Sequence, residues 1–250
     1  MFEELGQNLS PLSMFLSLAT VFVAAVARGY AGFGFSTVIM VSLVAFIPVS
    51  QLVPVSIALE VVASSAQARH ILPDINRQFL AVLLVASLIG TPVGVFLLSE
   101  VSERKMQFIV YGVIFSSTLF LLYSKPKPVT ISHSYLFLAG LVAGAVNGAT
   151  SLSGLVLALF FTSSSLSPPT MRATMIAYLF FTDIITGGFL LVAERYDVQT
   201  ISYVVAAFPF LLAGIFFGTR QFLKTPSDSF KNFVMWLLLI FCTLGAIRLL

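Results

Sequence analysis

Charge is what this chain lacks most. Of its 250 residues only 9% are Asp, Glu, Lys or Arg, where a soluble domain carries roughly 25%. Ten acids and thirteen bases cannot coat a water-facing surface, which excludes a soluble globular protein. A net charge of +3, spread along the chain, makes no basic face for nucleic acid. Cysteine is nearly absent: Cys242 alone allows neither a disulfide framework nor a cysteine metal site. His70 and His133 lie far apart in polar loops and point to no metal, and no cofactor motif is present. The N-terminus MFEELGQNLS has no basic n-region, so the first apolar stretch is expected to be retained rather than cleaved as a signal.

What remains is hydrophobic. Apolar residues make up 58% of the chain, and the mean hydropathy is +1.03. Lipid must therefore cover most of the exterior, and the expected class is an all-α, polytopic membrane protein. Apolar stretches run at 11–28, 35–47, 52–68, 78–98, 106–123, 134–146, 154–166, 170–193, 200–223 and 231–250. A bilayer core needs about 20 helical residues to cross. The stretches 35–47, 134–146 and 154–166 are too short to cross comfortably, and Gly/Ser-rich breaks set them off. Depending on whether these cross or re-enter, the chain has eight to ten membrane segments.

The chain repeats itself. ARGYAGFG in the first half matches VNGATSLSG in the second, Pro48 matches Pro168, GTPVG matches GIFFG, and SERKMQF matches PSDSFKN. The expected organisation is two membrane repeats, residues 1–124 and 125–250, within one transmembrane domain. Each copy holds an odd number of apolar stretches, so the second is expected to run inverted; if each short pair is one long broken helix, four crossings per copy make the repeat parallel. Charge agrees with that parity, because cytoplasmic loops hold excess Lys and Arg. With both termini outside, Arg69, Arg77, Lys125, Lys127, Arg220, Lys224 and Lys231 flank cytoplasmic ends. Arg28 and Arg172 join them if they lie near the surface, whereas Arg104, Lys105, Arg195 and Arg248 fall outside.

Broken helices in the midplane expose N-terminal amides that hold anions. The breaks 29–34 and 147–154 suit that role, with Gly29, Gly32, Gly34, Gly148 and Gly154 loosening the backbone. Ser36, Thr37, Thr150, Ser151 and Ser153 add hydroxyls. Close helix packing is the alternative use of such small residues. Arg28 stands where the first helix ends, and its position in the second copy is taken by Asn147. A guanidinium in a bilayer costs at least about 2.5–3.5 kcal/mol, so Arg28 either snorkels to the interface or clamps an oxyanion. Glu60 and Asp183 sit mid-segment, about 12 Å of helix from either end, where neither can reach water by snorkelling. Such acids pair with a base, carry a proton or bind a cation. The spacing leaves open proton coupling or structural pairs, Glu60 with Arg28 and Asp183 with Arg172. Arg172, just after Pro168 and Pro169, reads mainly as an interface anchor.

GYAGFGFSTVIMVSLVAFIPVSQLVPVSIAL at 29–59, with the weaker echo AGAVNGATSLSGLVLALFF at 143–161, resembles the sulfite exporter TauE/SafE family, also called the toluenesulfonate uptake permeases. The resemblance implies a bacterial-type inner-membrane transporter of sulfite, thiosulfate, sulfoacetate or other organosulfonates. By position, Gly29, Gly32 and Gly34 match the first family motif and Gly148 with Gly154 the second. Thr150, Ser151 and Ser153 replace glycines often found there. Arg28, Glu60 and Asp183 come from burial cost, not from the resemblance.

The expectation is a proton-coupled secondary transporter, outward in direction, with a passive anion channel as the alternative. An intramembrane enzyme is set aside, because both histidines read as loop residues with no dyad evident for Ser153, and no H-E-x-x-H motif occurs. The expected partners are the bilayer and a small anionic substrate, with a homodimer left open.

Overall fold

A computed structural model describes residues 11–123, 132–162, 164, 166–222, 236 and 243. The last apolar stretch falls outside the described residues apart from two positions, and with it Cys242 and Arg248. Lys125, Lys127, Lys224, Lys231 and the PSDSFKN match are also outside them. The described elements are all helical. They are α1 (Pro11–Ala31), α2 (Phe35–Leu43), α3 (Val49–Ile71), a 3-10 turn (Leu72–Asp74), α4 (Arg77–Glu100), α5 (Glu103–Tyr123), α6 (His133–Thr150), α7 (Ser153–Thr162), α8 (Pro168–Val192) and α9 (Val198–Phe222). Five of them, α1, α3, α4, α8 and α9, are long and apolar enough to cross a membrane. The 9 residues of α2 and 10 of α7 extend only about 14 Å, roughly half a bilayer core.

The burial pattern follows from a lipid solvent. Val85, Leu88, Ile89, Val93 and Phe96 of α4 face outward, while Ser87 and Thr91 of the same helix are fully buried. Inside, small residues let backbones approach. A Cβ on Gly94 would stand 2.0 Å from the Ala145 carbonyl oxygen of α6, and one on Gly218 of α9 would stand 2.2 Å from that of Val26 in α1. The seams α4–α6 and α1–α9 are the two most extensive helix contacts described. Both run parallel: residues 83, 87 and 91 of α4 meet 140, 144 and 148 of α6, and α1 rises beside α9 in the same sense.

These contacts set the direction of each hairpin. The starts of α1, α3 and α9 share one end, where Ser17, Gln51 and Asp197 surround a small cavity. The opposite end gathers Gln67 of α3, Arg172 of α8 and Arg220 of α9. The α1–α2 hairpin therefore enters from the first end and turns back toward it. Because α6 runs parallel to α4, the α6–α7 hairpin enters from the second end and turns back there.

Helix ends are satisfied locally. Asn76 caps α4 by accepting from the Phe79 N–H (3.0 Å), and Asp197 accepts from the Thr200 N–H at the start of α9 (2.7 Å). α3 begins after Pro48, which has no capping side chain. Glu103 of α5 takes over, accepting from the N–H groups of Val49 (2.9 Å) and Ser50 (3.2 Å) and from the Ser50 hydroxyl. One turn on, Gln107 donates to the Val44 carbonyl (3.0 Å) and closes the end of α2.

Candidate functional site

The interruptions are narrower than 29–34 and 147–154. α1 continues through Ala31, leaving only residues 32–34 irregular, and α6 continues through Thr150, leaving 151 and 152. Gly32 (φ 81°) and Gly34 (φ 96°) take the left-handed conformation that turns the chain back into α2. Ser151 does the same in the second break (φ 59°) and caps α6. The breaks meet: the Ser36 and Ser151 hydroxyls are 2.9 Å apart, and a Cβ on Gly154 would touch the Phe33 side chain at 3.3 Å.

Arg28 does not snorkel. It is fully buried (0% exposed), so it drops out of the surface charge pattern. Its Nη1 lies 2.6 Å from Glu60 Oε2, and its Nη2 donates to the Ser64 hydroxyl at 2.5 Å. The other carboxylate oxygen of Glu60 accepts from the Ser36 N–H (3.2 Å) and hydroxyl (2.7 Å). That N–H belongs to the first turn of α2, one of the donors a helix leaves without an internal partner. A carboxylate thus sits on a helix N-terminus and a guanidinium together, in the core of the molecule. The expected structural pair of Glu60 with Arg28 is present, and this pair also occupies the anion-holding donors.

The second half builds a related cluster. Asn147 donates to Asp183 Oδ1 (2.9 Å) and to the Thr186 hydroxyl (3.0 Å), while its carbonyl accepts from Ser153 (2.7 Å). Asp183 is buried and its Oδ2 has no hydrogen-bond partner. The Ser36–Ser151 contact and the Ser153 hydrogen bond to Asn147 bring the two clusters together into one polar core. Asp183 does not pair directly with Arg172. The two are eleven residues apart on one helix, about 16 Å of rise, and Arg172 donates instead to the Gly29 carbonyl (2.8 Å).

The remaining residues divide. Thr37 is buried in α2. The Thr150 hydroxyl returns to its own helix at Val146 (2.8 Å). Gly148 lies inside α6, where a Cβ would meet the Thr91 carbonyl at 2.5 Å, and Gly29 lies inside α1 against Ile215 at 2.7 Å. These two serve the packing seams. The carbonyl of Gly29 also gathers Gln67 (3.5 Å) and Thr219 (3.4 Å) beside Arg172. Ser64, Gln67 and Thr186 were not singled out in the sequence. Their signal was helical spacing: Ser64 and Gln67 follow Glu60 by four and seven residues, and Thr186 follows Asp183 by three.

Along α3 the polar core stands between two recesses. Val55 and Leu59 line a cavity of about 60 Å³ toward one end, with Asp197, Gln199 and Thr200. Ala66 and Gln67 line another of about 520 Å³ toward the other end, with Arg172, Thr219 and Arg220. Glu60 and Ser64 lie between them and are buried. Among the described residues no group of three or more His, Cys, Asp and Glu side chains forms a metal cluster.

Comparison with curated proteins and with solved structures finds no match. The family model described as sulfite exporter TauE/SafE matches residues 17–244, almost the whole chain. A buried charge pair on a helix break, recesses toward both ends, a lipid-facing exterior and that match agree: the chain belongs to the sulfite exporter TauE/SafE family, multi-pass membrane transporters of sulfur-containing anions rather than enzymes.

Proposed function

We propose that this transporter is a proton-coupled exporter of a small sulfur oxyanion, such as sulfite, thiosulfate or an organosulfonate, bound where the two interrupted helices meet. The observation that carries the reading is the hold on the Glu60 carboxylate. One backbone N–H, one hydroxyl and one guanidinium already grip an anionic group in the membrane core. Ser151 and Ser153 bring further hydroxyls from the second break, and Glu60 and Asp183 are the proton carriers.

Two inverted copies, 1–124 and 125–250, would rock about this centre and expose it by turns. What supports the inversion is the pair of hairpins entering from opposite ends, together with the reciprocal seams, in which the first helix of each half packs on the fourth apolar stretch of the other. On this reading the end carrying Arg77, Arg172 and Arg220 is the cytoplasmic one, supported by the charge rule, with the N-terminus and C-terminus outside.

The test is uptake by vesicles reconstituted with the full chain, using sulfite, thiosulfate and organosulfonates, with and without a pH gradient. Accumulation driven by the gradient, and counterflow of labelled substrate, are the expected results. Flux without counterflow would show a channel instead. Indifference to every sulfur oxyanion would end the proposal.

A further inference from the structure

Glu60 stands where a bound oxyanion would have to stand. Its two oxygens take the Ser36 N–H, the Ser36 hydroxyl and the Arg28 guanidinium, and all three residues are more than nine-tenths buried (Ser36 2%, Arg28 0%, Glu60 4% exposed). Arg28 keeps an unused donor, because its Nε has no hydrogen-bond partner. An arriving anion must share these donors or displace Glu60 from them. Sharing would put a second negative charge beside Glu60, against the Arg28 guanidinium that Glu60 already pairs with. Displacement would leave a buried carboxylate without donors, which is tolerable only when it is neutral.

Building on the transport reading above, we propose that Glu60 is a tethered stand-in for the cargo. The oxyanion displaces it from Arg28 and Ser36, and Glu60 takes one proton from solution as it leaves. The carboxylate becomes a carboxylic acid and no bond in the cargo changes. Each anion is thereby carried with one proton in the same direction, so outward flux follows the cargo's own gradient and an inward proton gradient opposes it; release of the anion returns the carboxylate to Arg28 and the proton to water.

The same geometry narrows the cargo. Glu60 is gripped through both oxygens of one carboxylate, so the donors suit a group with two oxygens on one atom. Once Glu60 is neutral, Arg28 supplies one permanent positive charge at this point. The cargo is therefore a singly charged sulfonate or hydrogensulfite in preference to doubly charged sulfate. The charged groups facing Glu60 are Arg28 from α1 and Asp183 from α8. α2 and the second break contribute only Ser36 and Ser151, and from α6 only Asn147 stands by Asp183. Tyr178 and Tyr196 neighbour Asp183, and Arg172 neighbours Arg28. Glu103 of α5 reaches only the start of α3.

Methanesulfonate keeps one charge across the working pH range, so a proton taken up when it binds belongs to the protein. Calorimetry on the purified full chain, in buffers of different ionisation enthalpy, counts that proton. We expect one proton per methanesulfonate, affinity weakening about tenfold per pH unit on the alkaline side, and sulfate competing at least about tenfold less well. Glu60→Gln should bind with no proton uptake and a flat pH profile, retaining exchange but losing drive by a pH gradient. At the binding step the two proposed carriers separate: proton uptake retained in Asp183→Asn assigns that proton to Glu60, and its loss there would overturn the assignment. If Glu60→Gln does not fold, infrared difference spectra of the natural chain decide, with methanesulfonate or sulfite as ligand. A new protonated-carboxyl band on binding supports the inference, and its absence overturns it. Methanesulfonate binding without proton uptake also overturns it while leaving the transport reading intact. Failure of methanesulfonate, sulfite and thiosulfate alike to bind the natural chain ends that reading and this inference together.

Discussion

The two halves of the molecule place comparable side chains at comparable breaks and differ by one permanent charge. In the first, Arg28 holds Glu60 through an ion pair at 2.6 Å, and the start of α2 supplies two more donors. In the second, Asn147 donates once to Asp183, whose other carboxylate oxygen has no hydrogen-bond partner. The difference separates two tasks that one sequence pattern could not tell apart. The first half is equipped to hold a negative charge in the membrane, and the second is equipped to hold an acid whose charge is poorly matched there.

The comparison breaks most readily at Arg28. Charge reversal, Arg28→Glu, would face Glu60 with a second carboxylate. It should abolish transport while the chain still inserts, and unchanged flux would remove the arginine from the binding role. Arg28→Gln makes the first half resemble the second. It strands Glu60, and breaking a buried pair in this way should lower stability by about 3–5 kcal/mol, read from thermal unfolding in detergent.

Next in size are the packing seams, where the halves are alike. Gly94→Ala and Gly218→Ala each push a methyl onto a backbone carbonyl, at 2.0 and 2.2 Å before relaxation. Each should cost about 1–3 kcal/mol, and a large inequality between them would argue against equivalent seams. Asp183→Asn removes the unmatched acid with little change in shape. It should spare folding and substrate exchange but reduce accumulation driven by a pH gradient, measured in vesicles.

The smallest effect is expected at helix starts. α3 is capped from another helix by Glu103, whereas α9 is capped by its own Asp197. Asp197→Ala should cost about 1 kcal/mol. Hydrogen bonds from the Thr200 N–H and hydroxyl hold the Asp197 carboxyl below its ordinary range. A carboxyl lowered in the folded state stabilises above its unfolded pKa of about 3.9, and that contribution fades as pH falls through the lower folded value. The deficit of the Ala variant should therefore shrink in strong acid and persist at neutral pH.

Much of this arrangement was legible in the sequence because it rests on local rules. Low charge and long apolar runs reveal membrane helices, and the glycines of ARGYAGFG mark a chain reversal. A mid-helix acid such as Glu60 announces a buried partner. What was not legible depends on which helices touch. GTPVG and GIFFG match each other in the sequence, but only the structure reveals Gly94 and Gly218 as close-contact points with α6 and α1. Gly29 and Gly148 look like parts of the breaks but lie inside their helices, two residues before Ala31 and Thr150 end them. Gly, Ala and Ser differ in helix propensity by only about 1 kcal/mol per residue, so packing can override propensity in deciding where the helix stops. Arg28 could snorkel or bind by sequence alone, and the position of α3 beside it settles that it pairs with Glu60.

The central claim concerns one location, and an electron-dense analogue can find it. An anomalous-scattering map of the full chain with bound selenite should show the selenium within hydrogen-bond distance of the Ser36 N–H and the Arg28 guanidinium, with the Glu60 side chain moved aside. Selenium confined to the recess by Arg172 and Arg220, with the Arg28–Glu60 pair unchanged, would contradict the account.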